Sequence, residues 1–222
     1  MLTIYFLRHG QTEWNLVGKY QGTKDVSLSE EGRKQAEAAA GWFDDISVDA
    51  IYTSPLQRAY VTAEMLSERK HIPLQVEPDF SEICFGDWEG LTYDEIEAAF
   101  PGSIAKLYDR PDEWEIPHAE KFEDVRKRVM RGISKILETN CPETNKTVVI
   151  VSHGAAIRMM LCGLLDLPIR YSWHLSQSNA NISCVHHYDS GENWLFLLNS
   201  VEHLKNRKNI PQDAKLLDGK TV

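Results

Sequence analysis

The sequence predicts an α/β protein with three layers, α/β/α, a mostly parallel central sheet and one antiparallel edge strand. Two observations predict this fold. Residues 2–7 and 147–151 are short and almost wholly apolar, which is typical of central strands buried on both faces. Between these segments, apolar residues recur at helical spacing. Strands alternating with amphipathic helices are the pattern that builds a parallel sheet covered on both sides.

Strand and helix signals alternate through the first half of the chain. After the strand at 2–7, Ser27-Leu28-Ser29-Glu30 offers helix-start chemistry, and the alanines that follow it are spaced to form one buried helix face. Residues 48–52 have the composition of a second strand. Ser54 and Pro55 then provide an N-cap followed by proline at the first helical position, so we expect a second helix to begin there.

The second half of the chain predicts a long helix, a buried strand and a hairpin. Apolar residues at helical spacing over 122–137 predict the long helix, and the strand at 147–151 runs into a further helix. Strands are predicted near 182–188 and 194–198, because residues 189–192 between them have the composition of a turn. We expect these last strands to form the antiparallel edge of the sheet.

We expect one domain over residues 1–204, followed by a polar C-terminal tail at 205–222. The segment between Ile83 and His118, about residues 83–118, has an irregular pattern in which prolines and glycines interrupt short apolar stretches. Segments of this kind on an α/β core commonly carry function. The sequence therefore predicts an inserted cap over the edge of the active site.

Composition limits the classes of function. The chain has 222 residues, 42% hydrophobic and 26% charged, and it contains no apolar run of the ~18 residues that a membrane span requires. Residues 1–7 lack the features of a signal peptide, so a cytoplasmic location is expected. Four widely spaced cysteines without a C-x-x-C pair predict reduced, structural thiols. The net charge of −9 disfavours nucleic-acid and membrane partners, so a phosphorylated substrate would need a locally positive pocket.

Two buried strands each end in a histidine followed by glycine, His9-Gly10 and His153-Gly154. Ligands bind beyond the carboxyl ends of strands in open α/β sheets, so the two histidines would meet if their strands are neighbours. Arg58, at the start of a helix that follows a strand, would reach the same edge. Gly154 also opens a helix, and the free N–H groups of a helix N-terminus favour a phosphate oxygen.

Five segments carry a resemblance to a known family, and they occur in that family's order. They are Leu7-Arg8-His9-Gly10-Gln11-Thr12-Glu13-Trp14-Asn15, Leu28-Ser29-Glu30-Glu31-Gly32, Tyr52-Thr53-Ser54-Pro55-Leu56-Gln57-Arg58-Ala59, Glu82-Ile83-Cys84-Phe85-Gly86-Asp87-Trp88-Glu89-Gly90 and Val151-Ser152-His153-Gly154. The first segment is highly specific. On these residues the chain resembles the histidine phosphatase superfamily, which includes the cofactor-dependent phosphoglycerate mutases. The resemblance extends from residue 2 to about 203 and is closest to the small-molecule phosphatase members.

The resemblance implies a role for each matching residue. His9 would be the nucleophile and would carry the phosphoryl group as a phosphohistidine. Glu82 would act first as general acid and then as general base. Arg8, Arg58 and His153 would bind the phosphoryl oxygens as three cations in place of a metal, and their charge would keep the nucleophile neutral. Further contacts to the substrate are expected from Asn15, Gln21, Gly22 and Gly154. No metal and no cofactor are expected.

Three functions are compatible with this pattern. The preferred one is a metal-independent phosphatase that hydrolyses small phosphomonoesters, with a small phosphorylated metabolite as its partner. The second is a phosphoglycerate mutase, whose cap is usually longer and more basic; the segment from 83 to 117 contains only two cations, Lys106 and Arg110. The third is a phosphate-binding regulatory module without turnover. The presence of every expected catalytic residue argues against this third function.

A few residues fall outside the family pattern or outside the proposed chemistry. Many phosphatase members carry Gly-Glu-Ser before the long helix, where this chain has His118-Ala119-Glu120-Lys121-Phe122. Trp114 and Tyr108 in the cap either line the substrate mouth or pack the cap onto the core. His186 and His187 alternate across a predicted strand, so they cannot both face one metal ion.

Overall fold

The computed structural model describes residues 1–140 and 145–204, and a six-stranded sheet forms its centre. The strands are β1 (Leu2–Arg8), β2 (Ala50–Thr53), β3 (Leu74–Val76), β4 (Lys146–Ser152), β5 (Ile182–His187) and β6 (Asn193–Ser200). Their spatial order is β3-β2-β4-β1-β5-β6. β4 pairs in parallel with both β1 and β2, and β2 pairs in parallel with β3. The mostly parallel sheet predicted from the sequence is confirmed.

Helices cover both faces of this sheet. They are α1 (Glu13–Leu16), α2 (Glu30–Trp42), α3 (Gln57–Lys70), α4 (Tyr93–Ala99), α5 (Ser103–Asp109), α6 (Phe122–Thr139) and α7 (Gly154–Leu164). Alternate residues of β4 divide between two hydrophobic clusters: Val148 and Ile150 pack with α6 and α7, whereas Val149 and Val151 pack with α2 and α3. The apolar run 148–151 of β4 is therefore buried on both sides, which confirms the three-layer arrangement.

The antiparallel edge of the sheet is a hairpin. β5 is antiparallel both to β1 on one side and to β6 on the other, so β5 alone runs against the rest of the sheet and β6 forms the outer edge. At the opposite edge, β3 was not predicted from the sequence. It has only three residues and is largely exposed, so no apolar alternation marks it.

One predicted helix start is confirmed and one is wrong. Within the predicted helix start at residues 27–30, the Ser29 side chain accepts a hydrogen bond from the Gly32 N–H at 3.0 Å and caps α2. The next helix, α3, begins at Gln57 with Leu56 at its N-cap and no side-chain cap. Ser54 lies outside this helix. Its hydroxyl accepts from the Leu56 N–H and contacts the imidazole of His153 at 2.8 Å. The Ser54 side chain therefore contacts a distant residue instead of capping the helix.

The cap between Ile83 and His118 contains α4 and α5, flanked by two short 3₁₀ turns at Gly86–Trp88 and Pro111–Glu113. The two aromatic residues that the sequence left undecided have different places. Trp114 is 2% exposed and packs edge-to-face on Trp88 at 4.9 Å, so it belongs to the core that holds the cap. Tyr108 lines the cavity beneath the cap.

Three cysteines, Cys84, Cys162 and Cys184, lie in the described part of the chain and form no disulfide there. Cys141 and the predicted tail at 205–222 lie outside the described residues. Within the described ranges, no helix combines the length and apolar character needed to cross a membrane.

Candidate active site

The pairing of β1 with β4 brings the two His-Gly sequences together. Arg8 lies opposite Ser152 in the parallel register, so the next residue of each strand leaves the sheet at the same point. His9 and His153 occupy these positions, and their ring centroids are 5.1 Å apart. The adjacency expected from the two apolar strands is present in the structure.

His9 is held in one tautomer by its own neighbour. Its Nδ1 lies 2.7 Å from the backbone carbonyl oxygen of Gly10, and because a carbonyl only accepts, Nδ1 carries the proton and donates it. The Nε2 lone pair is left for nucleophilic attack. Burial, followed by the charges of Arg58 and Arg8, lowers the pKa of His9 well below its ordinary value of 6.5. At neutral pH the imidazole is therefore uncharged and nucleophilic.

Arg58 lies in the first turn of α3 and is 1% exposed. Its Nη1 donates to the carbonyl oxygen of Lys24 at 2.8 Å, and its Nη2 donates to that of Gly22 at 2.7 Å. Burial lowers the pKa of Arg58 to about 10, which still leaves the guanidinium charged at neutral pH. The same side chain thus brings positive charge into the cavity and fixes the neighbouring loop.

Gly22 belongs to that loop and lines the cavity. Its φ of +55° is in the left-handed region, and a Cβ built on it would lie 1.9 Å from the Oε1 of Glu89. Glu89 itself accepts from the backbone N–H of Thr23 at 2.8 Å. A glycine is therefore required here for both conformation and space.

His153 differs from the sequence expectation in its charge. The residue is completely buried, its Nε2 is 2.8 Å from the Ser54 hydroxyl, and its Nδ1 is buried without a hydrogen-bond partner among the described residues. Burial, then Arg58, His9 and the other nearby arginines lower the pKa of His153 well below 6.5. The expectation of three cations is wrong, because a buried imidazole between arginines does not hold a proton at neutral pH. Arg8 and Arg58 supply the positive charge, and Arg8 is tied to the carbonyl oxygen of Gln177.

Glu82 is 9% exposed and is held by the start of α7. Its Oε1 accepts from the N–H groups of Ile83 and Ala156, both at 3.0 Å, and its Oε2 accepts from Ala155 at 3.2 Å. Two N–H groups of the helix that the sequence assigned to a phosphate therefore bind this carboxyl group instead. Gly154, at the first position of the same helix, lies on the cavity wall.

The main chain that carries Glu82 is held by Arg128 of α6, a residue that the sequence did not indicate. Its Nη1 donates to the carbonyl oxygens of Asp79 and Ser81 at 2.8 and 2.7 Å, and its Nη2 donates to that of Glu82 at 3.1 Å. The remaining donors form a two-point ion pair with Glu120 at 2.7 and 2.9 Å. Glu120 comes from the segment that departs from the family pattern.

Two further expected residues lie on the cavity wall. The Oδ1 of Asn15 accepts from the Thr12 N–H and hydroxyl, both at 3.0 Å, and from Asn179 at 3.2 Å. With its oxygen fully engaged, Asn15 has its amide NH₂ available as a donor. Gln21 is 8% exposed, and its Oε1 is buried with no hydrogen-bond partner within residues 1–140 and 145–204.

Most of these residues line one cavity of about 470 Å³, a volume typical of small-molecule sites, whereas His153 is not on its wall. The polar wall of this cavity contains Arg8, His9, Asn15, Lys19, Gln21, Arg58, Glu82 and Arg158, and its aromatic wall contains Tyr20, Phe85, Tyr93, Tyr108 and Trp173. A neutral imidazole, buried guanidinium groups and a carboxyl group in one cavity can perform attack at phosphorus, charge stabilisation and proton transfer. Residues 1–140 and 145–204 contain no group of three metal-ligating side chains placed to hold an ion.

Comparison with known proteins agrees with this chemistry. The family described as histidine phosphatase superfamily (branch 1) matches residues 4–200. Phosphoserine phosphatase 1 of Hydrogenobacter thermophilus is 33% identical over 204 residues, which is 92% of this chain and 95% of that protein. A mycobacterial glucosyl-3-phosphoglycerate phosphatase, solved with VO3, has a TM-score of 0.83 at 33% identity and covers 89% of this chain and 98% of its own.

A second solved structure extends this comparison. A phosphoserine phosphatase variant from Entamoeba histolytica, in complex with phosphoserine, has a TM-score of 0.80 at 30% identity and covers 92% of this chain and 100% of its own. The family match covers residues 4–200, which include nearly all of the sheet and its helices. The named relatives match this chain over most of their own length. The chain therefore belongs to the histidine phosphatase superfamily, as one of its phosphoric monoester hydrolases.

Proposed function

We propose that the chain hydrolyses small phosphomonoesters, without a metal ion, in two steps through a phosphohistidine on His9. One observation carries this proposal. The Nδ1 of His9 donates to the Gly10 carbonyl oxygen at 2.7 Å, which leaves the Nε2 lone pair for attack in a cavity that also contains Arg8 and Arg58. A neutral nucleophile beside two fixed cations suits attack on a phosphoryl dianion.

In the first step, the Nε2 of His9 forms a bond to phosphorus while the bond from phosphorus to the ester oxygen breaks. The leaving oxygen needs a proton, and Glu82 is the carboxyl group on the cavity wall that can provide it. Arg8 and Arg58 stabilise the charge of the transferred phosphoryl group. The buried Nδ1 of His153, which has no hydrogen-bond partner in the part of the chain that the structure describes, can donate to a phosphoryl oxygen.

In the second step, water attacks the phosphohistidine and the bond from phosphorus to Nε2 breaks. Glu82, ionised by the first step, accepts the proton of this water, so each turnover restores the carboxylic acid. The products are the alcohol and inorganic phosphate. Both steps use the same cavity, and neither requires an electrophile other than the arginines.

The substrate class is supported by the size of the cavity and by the relatives. A volume of about 470 Å³ accommodates a metabolite and not a folded protein. The three named relatives are phosphatases of phosphoserine or of glucosyl-3-phosphoglycerate. We infer that the partner of this chain is likewise a small phosphorylated metabolite.

A mutase is the weaker alternative, because it must retain a bisphosphorylated intermediate. The two cations of the cap, Lys106 and Arg110, do not line the cavity, and Arg110 pairs with Glu113. The cap therefore adds no positive charge that would hold a second phosphate. Interconversion of 3- and 2-phosphoglycerate at a rate comparable to hydrolysis would favour the mutase over the phosphatase.

The test of the proposal is release of phosphate from 4-nitrophenyl phosphate in the presence of EDTA. Wild type should turn over and should give a phosphoenzyme in rapid-quench experiments with labelled substrate. The label should be acid-labile and alkali-stable, as a phosphoramidate is. His9→Ala should lose both signals, whereas His118→Ala, at an exposed histidine of the cap, should keep them.

Turnover that persists in His9→Ala would remove the nucleophile assignment. Saturable phosphate binding without turnover in wild type would favour a regulatory module.

A further inference from the structure

We propose that Arg158 binds a second anionic group of the substrate, a carboxylate, and that the preferred substrates are phosphomonoesters of hydroxy or amino acids. This inference rests on the proposed phosphatase function and specifies its substrate class. Arg158 has no role in the chemistry described above. It is nevertheless on the wall of the same cavity.

The position of Arg158 follows from helix geometry. Gly154 and Arg158 are four residues apart in α7 and therefore lie on one face of the helix. A Cβ on Gly154 would lie 3.2 Å from the Nη1 of Arg158 and 3.5 Å from the Cζ of Arg8. The missing side chain of this glycine thus provides the space in which two guanidinium groups approach each other. One of them, Arg8, is the group assigned to the phosphoryl oxygens.

Arg158 is only 3% exposed in a helix whose other residues are glycines, alanines, cysteine and larger apolar residues. Burying a guanidinium is costly unless charge or hydrogen bonds compensate for it. Its Cζ lies 4.3 Å from the ring centroid of Trp173, at the distance of a cation–π contact. Stacking uses the flat face of the guanidinium, whereas its N–H donors point outward in the plane. The stack therefore fixes the plane of the guanidinium at the cavity wall.

The cap takes part in this arrangement. The ring of Tyr108, in α5, lies 4.8 Å from Trp173, and both aromatic residues line the cavity with Arg158. The end of the cavity that receives the leaving group is therefore an aromatic wall with one guanidinium in it. Such a wall holds the body of a small organic molecule and provides one directed contact for a charged substituent.

Geometry favours a carboxylate over a second phosphate at Arg158. Arg8 and Arg58 together match the two charges of a phosphomonoester dianion, and Arg158 and Lys19 are two further cations on the cavity wall. Of these two, only Arg158 is a guanidinium, and one guanidinium matches one carboxylate through two parallel hydrogen bonds. An anion placed between Arg8 and Arg158 would also relieve the repulsion between these two like charges.

The experiment uses two pairs of substrates that differ mainly in a carboxylate. Phosphoserine is compared with phosphoethanolamine, and 3-phosphoglycerate with glycerol 3-phosphate. Wild type should prefer the carboxylated member of each pair. In Arg158→Gln, kcat/KM for the carboxylated members should fall by about 10- to 100-fold, the loss expected for a hydrogen-bonded charge. For the members without a carboxylate it should change by less than about threefold.

Three controls keep the outcome interpretable. Lys127→Gln removes an exposed positive charge of α6 outside the cavity. This variant should leave kcat/KM unchanged for both members of each pair. Arg158→Lys should recover part of the preference, because a charge remains while the two-point geometry is lost. Circular dichroism and thermal unfolding identify a variant that fails to fold.

Each result bears on one of the two proposals. An equal loss for both members in Arg158→Gln would place this side chain on the phosphoryl group and overturn the inference. Absence of a carboxylate preference in wild type would overturn it as well. In both cases hydrolysis of 4-nitrophenyl phosphate by wild type would still support the phosphatase. Failure of that hydrolysis would instead refute the phosphatase proposal.

Discussion

The guanidinium of Arg128 donates to the backbone carbonyl oxygen of Glu82 at 3.1 Å, so a residue of α6 fixes the main chain of the proposed general acid. The carboxyl group of Glu82 is fixed separately, by the N–H groups of Ala155 and Ala156 at the start of α7. Glu82 itself precedes the cap and belongs to neither helix. Its position relative to His9 therefore depends on two helices that pack against each other on one face of the sheet.

This relationship predicts that Arg128→Lys impairs proton transfer more than it impairs nucleophilic attack. Lysine keeps the charge but cannot reproduce the planar set of donors that reaches Asp79, Ser81, Glu82 and Glu120. A displaced Glu82 should lower kcat for alkyl phosphates by about 10- to 100-fold. The value of kcat for an aryl phosphate with a good leaving group should fall much less. Arg126→Lys is the matched control, because Arg126 is in the same helix and bonds Glu123 through its side chain. Equal losses for both classes of substrate in Arg128→Lys would contradict a role through Glu82.

Glu82→Gln tests the acid and base directly. The amide cannot donate a proton to the leaving oxygen, so turnover of alkyl phosphates should fall by about 100-fold or more. Phosphorylation by an aryl phosphate should be affected far less, because its leaving group is already stable. If hydrolysis then becomes rate-limiting, labelled phosphoenzyme should accumulate, and rapid quench measures it. An equal loss of phosphorylation rate for the two substrate types would exclude Glu82 and direct attention to Asp87 or Glu89.

Two glycines of α2 should respond to alanine in opposite directions. A Cβ on Gly32 would lie 1.8 Å from the carbonyl oxygen of Gln11, whereas a Cβ on Gly41 meets nothing closer than Arg69 at 3.7 Å. Gly41→Ala should raise the free energy of unfolding by about 0.5–1 kcal/mol through helix propensity. Gly32→Ala should lower it by about 1–3 kcal/mol, because main chain must move. Urea denaturation measures both values, and a stabilised Gly32→Ala would show that the contact is loose.

Gly32→Ala should also reduce activity. Gln11 is two residues after His9, and a Cβ on Gly10 would lie 2.2 Å from the carbonyl oxygen of Gly32. The loop that carries the nucleophile thus rests directly on the start of α2. A change in kcat that accompanies the loss of stability in Gly32→Ala, and is absent from Gly41→Ala, is the expected result.

Stability should fall as the solution is acidified below pH 6.5. The pKa of His9 and that of His153 are well below 6.5 in the folded protein, chiefly because both rings are buried. In the unfolded chain these imidazoles bind protons as the pH falls through about 6.5. The unfolded state then binds more protons, so each histidine lowers the free energy of unfolding by up to about 1.4 kcal/mol per pH unit below 6.5.

The measurement is urea denaturation at pH 7.5 and at pH 5.5. His9→Asn removes one of the two titrating groups and keeps a polar side chain. The loss of stability between the two pH values should be smaller in this variant by about 1.4 kcal/mol. An unchanged difference would mean that His9 is protonated in the folded protein, in conflict with its role as a neutral nucleophile.

The parts of the fold that local sequence specifies were predictable. The apolar runs within β1 and β4 indicated central strands, and His9 and His153 follow these strands directly. The rule that parallel strands end at one edge of the sheet predicted that the two histidines would meet if their strands are neighbours, and the strands are neighbours. The start of α2 was recognised within residues 27–30 because its cap, Ser29, bonds the Gly32 N–H only three residues away.

The features that the sequence did not reveal depend on distant partners. Ser54 resembled a helix cap, but the group it contacts, His153, is 99 residues away. Arg128 donates to main-chain oxygens 46 to 49 residues earlier, and no repeating pattern in the sequence indicates such a contact. The charge of His153 was mistaken for a similar reason, since it depends on arginines that only the folded chain brings together.

The hydrogen bond from His9 to the Gly10 carbonyl oxygen has a consequence for how such a site can diversify. The tautomer of this proposed nucleophile is set by two consecutive residues. Glu82, the proposed acid, is instead positioned by α6, by α7 and by the segment before α6. In the proposed mechanism, substitutions in those regions would change which leaving groups are accepted while the attack on phosphorus is preserved. The proposed acid is therefore the part of the site that sequence change can alter without loss of the nucleophile.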